Sequence, residues 1–222
     1  IMLYRMKKII FIILFIFICI PFFGQDLRFS FMANPQFSWH SFDSESIERK
    51  GMVVGLNTGI EMDIFFAEKY AFSTGLTISN KGGKLSYSDT VSFTTSDGNV
   101  LIPANKTITT RYQYLTIPFG LKFKTLEIGY STYWINVGLT PMVNIKARGT
   151  DEDQQMEKAN LIDDTNIFNI NYFIEAGIEY SLGGNTAIIA GAGYNSGFLD
   201  ISKNTNDRIF TNSFSLVVGV LF

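Results

Sequence analysis

The one histidine of the chain, His40, stands among residues that hydrolytic enzymes use for nucleophilic catalysis. It lies in the stretch FSWHSFDSE, beside Ser38, Ser41 and Asp43. A serine nucleophile needs a base within hydrogen-bond reach and a third group that orients the base, and residues two apart share one face of a strand. One hypothesis is therefore an enzyme that acts on lipid of the outer leaflet. These residue types meet in many loops by chance, so the sequence favours an ordinary histidine at the outer rim and a protein that is not an enzyme.

An acidic run, TDEDQQMEKANLIDD, is a second group of candidate ligands. Its carboxylates could bind calcium or the cations that bridge lipopolysaccharide, but the run lacks the Asp-x-Asp-x-Asp-Gly spacing of a dedicated calcium loop. We expect a solvated outer loop, with neither a metal nor a cofactor. The acidic members are Asp151, Glu152, Asp153, Glu157, Asp163 and Asp164.

Charged residues of both signs also occur inside segments that alternate apolar with polar side chains. If those segments close into a narrow barrel, the charges face its interior, where opposite signs must pair. We predict an ion-pair network toward the periplasmic end of the lumen, with Lys146 pointing inward near the other end; a proton or ion path is the alternative. The predicted members of the network are Arg28, Glu61, Asp63, Lys122 and Glu179.

The elements that must position these residues are strands, because the alternation has a period of two over long stretches. From Met52 to Phe66 the even positions are apolar except for Thr58, whereas most odd positions are small or polar. The same pattern predicts eight strands, at about 27–40, 51–66, 70–88, 108–123, 133–148, 168–180, 186–194 and 209–222.

Strand length and loop pattern favour an all-β transmembrane barrel over a soluble sandwich. Several predicted strands exceed the usual five or six residues of globular strands, and a tilted membrane strand needs about 9–11. Long and short connections alternate, as extracellular loops and periplasmic turns do in outer-membrane barrels. We predict an eight-stranded antiparallel up-and-down barrel over residues 25–222, whose last strand pairs with its first because lipid tolerates no free edge. Side chains fill a lumen of this size, so no open pore is expected.

Residues 1–24 are expected to be a signal peptide, with Met6 as its natural start. Lys7 and Lys8 precede an apolar run that is shorter than the roughly 20 residues a bilayer requires, and a Pro-Phe-Phe-Gly exit follows it. The expected location is therefore the outer membrane.

Removal of residues 1–24 changes the charge and the cysteine content of the chain. It takes away Arg5, Lys7 and Lys8 but no acid, which leaves 15 basic residues of 18 against 20 acidic ones, a net charge of −5. The only cysteine, Cys19, leaves with it. No basic patch indicates nucleic acid, and an exported barrel would fold without disulfides.

Aromatic and proline residues mark the ends and the weak points of the predicted strands. Pro35, Pro118 and Pro141 each remove a ladder donor inside a strand, so we expect bulges or short strand ends there.

Aromatic residues group toward both ends of the predicted strands, as in the girdles of membrane barrels. Those near short turns or the end of the chain are Phe65, Phe66, Tyr70, Phe72, Phe123, Tyr130, Tyr133, Tyr180 and Phe222; those near long loops are Phe37, Trp39, Tyr87, Tyr112 and Phe168.

In the final stretch, NSFSLVVGVLF, every second position from Phe214 onward is apolar, and the last residue is aromatic. This pattern is similar to the C-terminal signal that the barrel-assembly machinery reads, and we expect its apolar face to meet outer-membrane lipid. The residues concerned are Phe214, Leu216, Val218, Val220 and Phe222.

Two motifs resemble the PorT-like outer-membrane β-barrel family of Bacteroidetes. They are YQYLTIPFGLKFK (residues 112–124), with a Tyr-Leu-x-Ile-Pro strand, and the glycine-rich AGAGYNSGFLDIS (residues 190–202), together with the closing Phe222. The resemblance implies a small outer-membrane barrel, and the family takes its name from a member linked to type IX protein secretion. We expect a structural or interaction role through the extracellular loops; an accessory part of a secretion or envelope complex, with a protein partner, is the alternative.

Overall fold

The strands that the alternation predicts are present. A computed structural model describes residues 26–44, 46–95, 98–151, 159–162, 165–203 and 208–222. The predicted signal peptide lies outside the described residues, and so do Glu152, Asp153, Glu157, Asp163 and Asp164 of the acidic run. The strands are β1 (Asp26–Phe42), β2 (Ile47–Gly51), β3 (Val53–Ala67), β4 (Tyr70–Tyr87), β5 (Val91–Thr95), β6 (Gly98–Ile102), β7 (Ile108–Thr116), β8 (Phe119–Lys124), β9 (Ser131–Asp151), β10 (Ala159–Asn160), β11 (Phe168–Gly183), β12 (Thr186–Gly197) and β13 (Ile209–Leu221).

These strands form a closed antiparallel ring of eight staves, where a stave is one crossing of the barrel wall. Two staves are interrupted: β2 and β3 lie end to end along β4, and β7 and β8 lie end to end between β4 and β9. The order around the ring is β1, β2/β3, β4, β7/β8, β9, β11, β12 and β13. The ring closes where Phe222 N–H donates to Phe29 O at 2.9 Å and Phe29 N–H donates to Phe222 O at 3.3 Å. The predicted eight-stranded barrel is therefore confirmed.

The three prolines sit where the ladders are disturbed. Pro118 falls in the break between β7 and β8, as expected, and Pro141 lies opposite that break, where its carbonyl accepts from Ile117 N–H at 3.1 Å. The expectation of a bulge or strand end was wrong for Pro141, since β9 runs through it in unbroken register with β11, and for Pro35, since β1 runs through it. Instead, the ladder to β13 lapses between Met32 and Gln36, and Asn34 Oδ1 accepts from Val218 N–H at 2.9 Å, so a side chain replaces a missing backbone partner.

The two faces of the wall meet opposite surroundings. Outward side chains are large and apolar and remain exposed, such as Ile60 at 54% and Phe72 at 54%, whereas inward ones such as Ser79, Asn171 and Ser213 are polar and buried. A belt of exposed apolar side chains around a whole barrel suits lipid and not water. In the part of the chain that is described, no helix is long and apolar enough to cross a bilayer.

Candidate functional site: the closed lumen and its outer cap

Ion pairs bridge the lumen near its periplasmic end. Lys122 Nζ on β8 donates to Asp63 Oδ2 on β3 at 2.6 Å and lies 3.0 Å from Glu179 Oε1 on β11. Lys124 Nζ donates to the other oxygen of Glu179. The side chains of all four residues are at most 8% exposed, so these charges are taken out of water and must satisfy one another.

The alternation of β3, β8 and β11 positions this ion-pair cluster. Residues two apart on β8 share the inward face, so Lys122 and Lys124 both enter the lumen. β4 lies between β3 and β8, and β9 lies between β8 and β11. The ion pairs therefore brace five neighbouring staves from within. Trp134 on β9 also contacts the cluster, because Lys122 Nζ lies 5.1 Å from the centroid of its ring, in a cation–π contact.

One predicted member of the network lies apart from it, and another lies at a second level of it. Arg28 sits at the rim, where its Nε donates to Asp26 Oδ2 at 3.2 Å and its side chain is 40% exposed. It is close to the end of β1, where the guanidinium reaches water and stacks 5.2 Å from the Phe65 ring centroid. Glu61 lies one level further in and lines a cavity of about 30 Å³, with Lys81 and Glu175. A space of this size holds about two waters.

Lys81, Lys124 and Glu175 also belong to the lumen network, and none of them was predicted from the sequence. Glu175 lies four residues from Glu179 on β11, and Lys124 lies two residues from Lys122 on β8. Residues an even number of positions apart share one face of a strand, so the alternation alone could have placed both in the lumen. Lys81 lies in the stretch NKGGK, where two glycines hide the alternation.

His40 is not a rim histidine, which corrects the expectation from sequence. It is fully buried in the lumen, where Nε2 is hydrogen-bonded to Thr110 Oγ1 at 2.7 Å and Nδ1 to Thr211 Oγ1 at 3.2 Å. Its ring fits against Gly83, where a Cβ would come within 2.5 Å of His40 Cδ2. The position follows from parity, because His40 faces the same way on β1 as Ser38 and Gln36.

The hydroxyl of Ser38 is hydrogen-bonded to the backbone of the barrel wall and not to His40. Its Oγ donates to Val53 O at 3.1 Å and accepts from Gly82 N–H at 2.8 Å. These bonds join β3 to β4 where their ladder is open, between Asn57↔Ser79 on one side and Gly51↔Lys84 on the other. The hydroxyl of Ser38 thus replaces a backbone bond of the wall, and the nitrogens of His40 are engaged by threonines.

The outer end of the barrel reverses the polarity of the wall. There the lumen is filled by a cluster of buried apolar side chains, and the outside carries charged ones such as Lys84 and Arg111. A cavity of about 270 Å³ lies within this cluster, with Thr110 and Tyr112 among its lining residues. This end is therefore built like a water-soluble protein, with an apolar core. The members of this outer cap are Ile47, Leu85, Ile102, Ile108, Tyr112, Tyr114, Met142, Ala147, Leu161, Ile201 and Ile209.

Several aromatic and charged residues face the opposite way from the sequence expectation. Tyr112 and Phe65, placed in the girdles, are buried on the inward face, since they share parity with Tyr114 and Asp63. Lys146, predicted inward, is exposed because a bulge in the β7–β9 pairing, between Gln113↔Lys146 and Tyr114↔Asn144, shifts its face.

The last stave turns its apolar residues outward. The alternate residues of β13 and the residue after it are between 43% and 59% exposed, and the residues between them are buried. The outward residues are Phe214, Leu216, Val218, Val220 and Phe222.

Asp151 is the described member of the acidic run. It is buried at 5% exposure at the end of β9, opposite Ile108. Among the described residues, no three His, Cys, Asp or Glu side chains are grouped to hold a metal ion.

A closed antiparallel barrel with an apolar outside and a polar, ion-paired inside is an integral outer-membrane protein. The chain belongs to the family described as outer membrane protein beta-barrel domain, whose model matches residues 23–203. Its location is therefore the outer membrane. No curated protein matches the chain.

Matches among solved structures include three bacterial proteins. Neisserial surface protein A is 13% identical, over 87% of this chain and 95% of that one, with a TM-score of 0.48. Ail, the attachment invasion locus protein of Yersinia pestis, solved with the heparin analogue sucrose octasulfate, is 14% identical over 89% and 99%, with a TM-score of 0.42. OprG from Pseudomonas aeruginosa is 10% identical over 89% and 94%, with a TM-score of 0.45.

Proposed function

We propose that this outer-membrane barrel works by contact through its extracellular end and does not conduct solutes. The observation that supports this most is the outer cap, an apolar core that extends from Met142 in the wall to the outer strand ends and the β5–β6 hairpin. A protein that served only as a wall in lipid would need no such core. A rigid outer body is suited to presenting loops to a partner.

The filled lumen supports the second half of the proposal. Three levels obstruct it: the ion pairs around Lys122, the hydrogen-bonded layer around His40 and the outer cap. A solute path would require buried, partnered side chains at all three levels to move together.

An enzymatic role is not proposed. Catalysis on outer-leaflet lipid would need a base free to accept a proton from a nucleophile, and the hydrogen bonds of Ser38 and His40 are used within the wall and the lumen. For biogenesis, we propose that the outward face of β13 from Phe214 to Phe222 is read by the barrel-assembly machinery.

Site-specific photo-crosslinking in intact cells tests the contact role. A crosslinker at Leu101 on β6, which is 66% exposed, is expected to capture one partner of the outer end. A crosslinker at lipid-facing Val218 is the matched control and should capture lipid alone. Identical products from the two positions would contradict the proposal.

The same experiment separates the contact role from an accessory role in a secretion or envelope complex. A third crosslinker at Tyr130, 68% exposed in the turn between β8 and β9, reports on the periplasmic side. A stoichiometric protein captured from Tyr130, and none from Leu101, would favour the alternative of an accessory role.

A further inference from the structure

Three basic side chains form a cluster on the outer wall of the barrel. Arg111 on β7 is paired directly with Arg148 on β9, and Gln113 is paired with Lys146 one step below. Arg111, Lys146 and Arg148 are all exposed. Like charges directly opposite each other on neighbouring strands repel, so this arrangement weakens the sheet unless an anion lies between them.

The β-bulge in β9 creates this cluster. Without it, Lys146 would follow the inward face of Asn144, and Arg148 would follow it into the lumen. The bulge turns both outward, and Lys146 N–H donates to Asn144 Oδ1 at 3.1 Å, which holds the bulged turn. Bulges often re-aim side chains next to binding sites.

Among the described residues, no carboxylate neutralises the cluster. None of the three basic residues has an ion pair with an acidic side chain in the part of the chain that the structure describes. A cavity of about 250 Å³ adjoins the cluster, and Asn80, Gln113 and Val54 line it as well. The site thus offers three cations and an apolar flank, and its two amides are joined by a hydrogen bond from Gln113 Nε2 to Asn80 Oδ1 at 3.2 Å.

The position of the cluster along the wall corresponds to lipid headgroups. Outward residues of β9 are apolar or uncharged from Tyr133 to Ile145, and Lys146 and Arg148 follow at once. With a rise of about 3.3 Å per residue and a tilt of about 40°, the twelve steps from Tyr133 to Ile145 span roughly 30 Å, the thickness of the hydrocarbon. The basic cluster therefore lies immediately outside the hydrocarbon, on the extracellular side.

We propose that Arg111, Lys146 and Arg148 bind the phosphate group of a lipid in the outer leaflet. Guanidinium groups bind phosphate oxygens in pairs, and the phosphate offsets the repulsion between the two arginines. The acyl chains of that lipid lie along the exposed side chains just below, Leu115 at 36%, Val143 at 41% and Ile145 at 49%.

Lipid retention in native mass spectrometry of the full-length protein tests the site. The probes are phosphatidic acid and a diacylglycerol with the same acyl chains, which differ only in the phosphate. We expect phosphatidic acid to be retained and diacylglycerol to be lost. Equal retention of the two probes would overturn the proposal, because the acyl chains alone would then account for binding.

Charge-matched variants localise the effect. The pair Arg111→Gln and Arg148→Gln is expected to weaken retention of phosphatidic acid about tenfold or more, since charge-assisted hydrogen bonds are lost. The control pair Arg28→Gln and Lys69→Gln removes two charges at the periplasmic end and should leave retention unchanged. Equal loss in both pairs would overturn the proposal. Heat-modifiable migration in detergent gels verifies that each variant is folded.

A further arm separates the lipid from free phosphate. Inorganic phosphate at the concentration of the lipid is expected to leave phosphatidic acid bound, because the acyl chains add to its binding. Complete displacement by inorganic phosphate would show a site for the free ion and would overturn the assignment to lipid.

Discussion

Replacement of Lys122 by methionine tests the ion-pair cluster most severely. The change keeps the length of the side chain but removes the ion pairs with Asp63 at 2.6 Å and Glu179 at 3.0 Å, and the cation–π contact with Trp134. Glu179 retains Lys124, whereas Asp63 is left at 5% exposure with no cation among its described partners.

The expected loss follows from that one stranded carboxylate. Removing one partner of a buried ion pair costs about 3–5 kcal/mol, because the remaining charge stays buried and uncompensated. Since Lys124 still serves Glu179, we expect the lower end, about 3 kcal/mol, out of a total stability of about 5–15 kcal/mol for a typical domain.

Equilibrium unfolding by urea in lipid vesicles, followed by tryptophan fluorescence, measures the loss. The double variant Asp63→Asn with Lys122→Met removes the stranded charge and should recover at least about 1 kcal/mol of it. Arg28→Gln at the exposed rim is the control and should stay within about 1 kcal/mol of the wild type. Surface substitutions usually change the free energy of unfolding by less than about 0.5 kcal/mol. If Lys122→Met stayed within about 0.5 kcal/mol of the wild type, the reasoning would be refuted.

Three further predictions concern the lumen, the last stave and the closed ring. His40→Ala should lower the free energy of unfolding by about 2–4 kcal/mol, because it empties a buried site and removes the hydrogen bonds of the ring to Thr110 and Thr211; lipid A from cells that carry it should be unchanged by mass spectrometry, and altered lipid would support the enzymatic hypothesis. Phe222→Ser should lower the amount of protein in outer-membrane fractions more than the free energy of unfolding, since its exposed ring closes the apolar face of β13; normal amounts would contradict this. The purified protein should migrate differently in detergent gels before and after boiling, as closed barrels do, and solubility without detergent would contradict the fold.

The sequence predicted the staves well because alternation depends on each strand alone. Apolar residues that face lipid repeat every second position, and this is visible without knowing any partner strand. The same rule placed Asp63, Lys122 and Glu179 on the inward face, where the structure brings them together.

The errors arose where the structure depends on a second strand or on distance from the membrane. The bulge that turns Lys146 outward is a property of the β7–β9 pairing, so counting along β9 cannot detect it. Tyr112 and His40 lie near the outer end of the barrel. There the apolar side chains face the lumen, so an aromatic residue no longer indicates a lipid-facing position. The family resemblance indicated a barrel but carried no information on these positions.

The conductance of single molecules in a planar lipid bilayer tests the central claim most directly, which is that the lumen is closed. The folded protein, checked by heat-modifiable migration, should insert without a stable conductance, because the ion pairs around Lys122, the His40 layer and the outer cap each obstruct the path. A steady, ohmic conductance from the wild-type protein would contradict the closed lumen and the contact role proposed for the outer end.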